Sequence, residues 1–166
     1  MKTMKILASL LAAFAALATL NAEAHVSLEP KTAPGGSYHT LSFRAGHGCA
    51  GSATTAITIV LPEAITGAKP MPKPGWTLSI AAREIAWRGG PLPDSQFDEF
   101  KLLVKLPDSA GKQVFKVLQR CEQGSADWIE LPGVAGSHPA PVLEILPVSA
   151  PPSGTDVIAP GAVHHH

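Results

Sequence analysis

Residues 37–45 read "SYHTLSFRA". Side chains alternate along this stretch: His39, Leu41 and Phe43 fall on one face, Tyr38, Thr40, Ser42 and Arg44 on the other. That period of two belongs to a strand with one face turned to a core. The same pattern returns on either side of it. "TTAITIVLP" (54–62) is rich in β-branched residues, with Ala56 set against Ile57, Ile59 and Leu61. "WTLSIAAREIAWRG" (76–89) reads as two short strands joined by a turn. "DEFKLLVKLP" (98–107) and "KQVFKVLQRCEQG" (112–124) each read as an alternating strand, and "DWIELP" (127–132) and "APVLEILPV" (140–148) complete the series. About seven strands at this spacing, with turn residues between them, predict an all-β antiparallel sandwich. No long stretch keeps a 3.6-residue period without an interrupting Pro or Gly.

The 15 Gly and 16 Pro agree with a chain rich in turns and loops. "PEAITGAKPMPKPGW" (62–76) is a proline-rich connection, expected to cross between sheets. Formal charge is balanced, with 13 Lys+Arg against 13 Asp+Glu, which argues against a nucleic-acid binder. No GxSxG and no Gly-rich phosphate loop is present, so hydrolase and nucleotide chemistry have no support.

The beginning of the chain reads as a leader. "MKTMK" is positive, "ILASLLAAFAALATL" (6–20) is uncharged, and "NAEA" (21–24) puts Ala22 and Ala24 at the small-residue positions of a cleavage site. That is the anatomy of a secretory signal peptide covering residues 1–24. Cleavage after Ala24 implies an exported, periplasmic protein with no membrane span after processing. Its first residue would be His25. Residues 25–146 then form one domain, and 147–166 form a disordered Pro-rich tail whose terminal histidines are either native or a purification tag.

Export also bears on the two cysteines. In an oxidising compartment Cys49 and Cys121 are expected to form a disulfide. The sharper alternative is a soft-metal site built on "HGC" (47–49) together with Cys121.

An N-terminal histidine has its own chemistry. Its free amine and Nδ1 can close one chelate ring on a metal ion, with little chain entropy lost. Two such nitrogens favour tetragonal Cu(II), which also leads the divalent affinity order. The amine must lose its proton, and an ordinary pKa near 8 makes that easy for a strongly bound metal. His39, inward-facing near the rim on the first good strand, reads either as a hydrogen-bonded core residue or as a partner ligand that the N-terminal segment could run alongside.

The chain as a whole resembles the YcnI-like copper-binding proteins of bacteria. The resemblance rests on "AHVSLEP" (24–30), "GGSYHTLSFRA" (35–45), "TTAITIVLPEAI" (54–65), "PKPGW" (72–76), "EIAWRGGPLPDSQFDEF" (84–100), "DWIELPG" (127–133) and "SHPAP" (137–141). It implies a sandwich of immunoglobulin- or cupredoxin-like architecture, with copper held in a brace by the N-terminal histidine. Carried onto this chain, His25 is the brace histidine and Trp128 the tryptophan beside the metal. His39 stands where the family has a glutamate, giving a more nitrogen-rich site. His47 reads as a further ligand or as a surface residue beside the disulfide. His138 reads as a loop residue, and Trp76 and Trp87 as core.

The function implied is Cu(II) binding for acquisition, delivery or tolerance, without a reaction of its own. Periplasmic copper chaperones or membrane copper transporters are the expected partners. The rivals are a copper-dependent polysaccharide monooxygenase and a metal-free immunoglobulin-like interaction module.

Overall fold

The computed structural model describes residues 25–148. The expected leader, and the expected tail from residue 149 onward, lie outside the described residues. The described residues form twelve strands: β1 (Ser27–Glu29), β2 (Thr32–Pro34), β3 (Tyr38–Ala45), β4 (Thr54–Val60), β5 (Thr66–Pro70), β6 (Trp76–Ile80), β7 (Glu84–Leu92), β8 (Asp98–Lys105), β9 (Gly111–Val114), β10 (Lys116–Cys121), β11 (Ser125–Trp128) and β12 (Val142–Leu146). Among the described residues there is no helix, and none therefore long and apolar enough to cross a membrane. The fold is an all-β, immunoglobulin-like sandwich. A first sheet runs β1-β3-β8-β5, a second runs β11-β10-β4-β7-β6, and a small third sheet runs β2-β12-β9. Pairing is antiparallel throughout except between β2 and β12.

Burial follows the alternation read from the sequence. Leu41 and Phe43 of β3 are fully buried, with Phe100, Leu102 and Val104 of β8 beside them. Ile57, Ile59, Ile85, Trp87 and Val117 come from the second sheet to meet them. The Phe100 ring meets Trp87 edge-on at 5.5 Å and Trp76 at 5.1 Å. Trp87 is core as expected, whereas Trp76 is only partly buried at the margin of that cluster.

Two segments differ from their sequence reading. "KQVFKVLQRCEQG" is not one strand. It breaks at Phe115, whose N–H donates to the Pro141 carbonyl at 2.9 Å. The chain changes sheet there: β9 pairs with β12, and β10 pairs with β4. Because the buried Phe115 ring falls in step on both sides of the break, alternation alone carries no mark of it. The proline-rich connection does cross between sheets, and it contributes a strand of its own on the way. β5 pairs with β8 at the edge of the first sheet, a position that tolerates proline because one side of the backbone needs no ladder partner.

Candidate functional site

The site lies at one edge of the sandwich, where β1 of the first sheet and β11 of the second are both edge strands. β1 pairs with β3 in a register that sets Ser27 opposite Arg44 and Leu28 opposite Phe43. Continued by two residues, that ladder brings His25 alongside Gly46, just before the "HGC" loop. From the second sheet comes Trp128, the last residue of β11, which is 3% exposed. The His25 ring meets the Trp128 indole edge-on, with ring centres 5.8 Å apart and planes at 83°.

Trp128 is held from behind by Gln119, a side chain that sequence reasoning passed over. Gln119 sits on β10, 1% exposed, and every polar atom of its amide is used. Its Oε1 accepts from Trp128 Nε1 at 3.0 Å, and its Nε2 donates to the His47 carbonyl at 2.7 Å and to Thr54 Oγ1 at 2.8 Å. One buried amide thus ties the tryptophan to the loop beside which His25 lies. A polar residue on the inward face of an alternating strand was the available signal, since such a group is buried only with partners.

The loop itself is covalently fixed. Cys49 and Cys121 form a disulfide, with Cα atoms 6.0 Å apart and a sequence separation of 72. The bond leaves the soft-metal reading of "HGC" without thiolates. Cys49 and Ser52 exchange backbone hydrogen bonds at 3.0 Å, and Gly48 N donates to Asp94 Oδ1 at 3.0 Å. Gly48 has no room for a side chain, because a Cβ there would fall 1.8 Å from the Ser52 carbonyl oxygen. His47 is partly buried, and its Nδ1 donates to the Gly48 carbonyl within the same loop.

His138 also reaches the site. Its ring centre is 4.8 Å from that of Trp128, with planes at 55°. The 130–140 segment folds back onto the chain just past Trp128. His138 N donates to Glu130 Oε2 at 2.7 Å, and its carbonyl accepts from Ile129 N at 3.1 Å and Glu130 N at 3.2 Å. In sequence it looked like any loop residue, since its place depends on this fold-back and not on strand periodicity.

His39 does not come to the site, which corrects the sequence expectation. It does lie on the inward face of β3, partly buried at the rim, as its alternation with Leu41 and Phe43 implied. The antiparallel register, however, sends His25 to the opposite end of the strand. Between Gly46 and His39 lie residues 40–45, most of β3, a separation of roughly 23 Å at the rise of an extended chain. His39 is instead opposite Val104, with its Nε2 2.9 Å from Ser37 Oγ.

Residues 25–145 match the family described as a domain of unknown function, DUF1775. The chain belongs to this family. The copper-binding protein CutI of Bacillus subtilis (strain 168) is 26% identical over 118 residues. That alignment takes in 66% of this chain and 57% of the relative, so the chain spans little more than half of that protein's length. Among solved structures, an uncharacterized protein from Nocardia farcinica with an immunoglobulin-like fold superposes with a TM-score of 0.64 at 29% identity. The superposition covers 73% of this chain and 97% of that one.

Among the described residues, no group of three or more His, Cys, Asp or Glu side chains is arranged to hold a metal ion. A conventional cage built from side chains alone is therefore not what this DUF1775 domain offers. What the edge does offer is imidazole nitrogen: His25 and His138 against one buried indole, with His47 in the adjoining loop.

Proposed function

We propose that this protein is an exported, periplasmic copper-binding protein that holds Cu(II) through its processed N-terminus. The observation that carries the reading is His25 itself. It is the first residue matched by the family, and its ring packs edge-on against a buried tryptophan. Removal of residues 1–24 would free its amine next to its own imidazole.

The donor chemistry fits the ion. An amine and the Nδ1 of an imidazole from one residue chelate in a six-membered ring, suit tetragonal Cu(II), and need no third side chain from a cluster. The amine must give up its proton on binding, a cost that a strongly bound metal meets at neutral pH. The copper-binding relative supports the choice of metal, and its name points to binding and not to turnover. The role we assign is acquisition, delivery or tolerance, with copper passed to or from other periplasmic or membrane copper proteins. Trp128 would close one side of the site with an apolar, hydrogen-bonded wall.

The test uses the exported protein. Intact-mass measurement should give a chain that begins at His25, and that protein should bind one equivalent of Cu(II), lost in His25→Ala. A mature chain beginning elsewhere, or undiminished binding by His25→Ala, would overturn the proposal.

A further inference from the structure

We infer that His138 is the second protein residue of the copper site, supplying through Nε2 the nitrogen that His39 cannot reach. The inference rests on the proposed N-terminal chelate and says how the site is completed. Tetragonal Cu(II) has four strong in-plane positions, and the chelate at His25 fills two of them. A further neutral nitrogen is the natural third donor.

Among the described residues three histidines besides His25 are open to this role, and their positions rank them. His39 lies the length of β3 away, beside Ser37. His47 lies in the adjoining loop, where its Nδ1 donates to the Gly48 carbonyl and its own carbonyl accepts from Gln119 Nε2, so its place is fixed by the loop and not by the indole. His138 packs against the same indole as His25, with ring centres 4.8 Å apart, and is the second histidine in contact with Trp128.

His138 is also prepared as a ligand. Metal-bound histidines commonly engage the second ring nitrogen with a hydrogen-bonding partner that fixes ring orientation and tautomer. Here Nδ1 lies 2.8 Å from Ser137 Oγ, leaving Nε2 as the coordinating atom. The backbone at His138 is clamped on both sides by Glu130, through its carboxylate and through its main chain. The Ala140 N–H donates to the Glu130 carbonyl at 2.9 Å and fastens the far side of the segment. Gly136 belongs to the same arrangement, since a Cβ there would fall 2.2 Å from the Glu130 carboxylate.

The experiment is Cu(II) titration followed by EPR on protein beginning at His25 and lacking the terminal histidines. It compares the parent, His138→Phe, His138→Gln, His47→Ala, and a parent with one residue added ahead of His25. His138→Phe keeps a ring against Trp128 and removes the nitrogen; His138→Gln covers the case in which the phenyl ring does not fit. The indole N–H resonance of Trp128 reports whether the site has kept its shape. We expect both His138 variants to lose one nitrogen coupling and bind Cu(II) at least about tenfold more weakly, with the Trp128 resonance in place. His47→Ala should match the parent. Unchanged spectra and affinity in both His138 variants would overturn the inference while leaving the chelate standing, as would loss of the coupling in His47→Ala alone. Parent-like binding by the extended protein would instead remove the chelate, and this inference with it.

Discussion

At one end of β3 the chain runs from Ala45 through Gly46 into a loop closed by a disulfide, flanked by His25, held by Gln119 and faced by Trp128. At the other end His39 meets a serine two residues away and a valine across the strand pair. Both ends carry histidine, and His39 is the one on a strand that reads clearly. The difference between them comes from register. In an antiparallel pair the first residue of one strand lies beside the last of its partner, so His25 is drawn to Gly46 and away from His39. Histidines that look adjacent by strand order can thus be a full strand length apart.

The first way to test this contrast is to loosen the crowded end. Replacing Cys49 and Cys121 by serine opens a loop of 72 residues and should cost roughly 4 kcal/mol in urea unfolding. A loss below about 1 kcal/mol would show that the loop is held by its hydrogen bonds alone. Gln119→Leu should follow closely, at about 3 kcal/mol, because it strands the Trp128 N–H and the His47 carbonyl in a buried place. The Trp128 indole resonance should shift with it. A stable variant with an unmoved resonance would mean that packing alone sets the tryptophan.

A smaller effect is expected on the outer face of the first sheet, away from the chelate. Lys101, and then Arg44, hydrogen-bond to Glu99 and hold its carboxyl at about 2, well below the usual carboxylate range. Between that value and the ordinary one near 4.5 the unfolded chain binds more protons, so stability rises with pH across this window. The contribution is present above pH 4.5 and fades as pH falls toward 2. Unfolding curves at pH 5 and pH 2.5 should converge partly in Glu99→Gln; an unaltered pH dependence would refute the assignment. The smallest effect belongs to the quiet end. His39→Ala should change stability by less than about 0.5 kcal/mol and leave Cu(II) affinity as it was.

Much of the fold was legible because the inward residues alternate where strands are long. Leu41 and Phe43 on β3, and Phe100, Leu102 and Val104 on β8, are of this kind. The break at Phe115 was hidden because its buried ring keeps the alternation in step while the backbone changes sheet. β5 was hidden because an edge strand admits the proline and glycine that mark a loop elsewhere. At the candidate site His25, Trp128 and the cysteine pair could be singled out from residue type and position. Gln119 and His138 could not, because their roles depend on which segments the folded backbone brings together. His39 misled for the same reason: its side of the strand was readable, and the end of the strand that His25 approaches was not.

The central claim is that processing creates the copper site. The most direct measurement is Cu(II) affinity, by competition against a chelator, for protein beginning at His25 and for the same protein with one residue ahead of it, both without the terminal histidines. Tight one-to-one binding by the first and its collapse in the second is the predicted result. Equal affinity in the two would contradict the account, because the amine of His25 would then have no part in holding the metal.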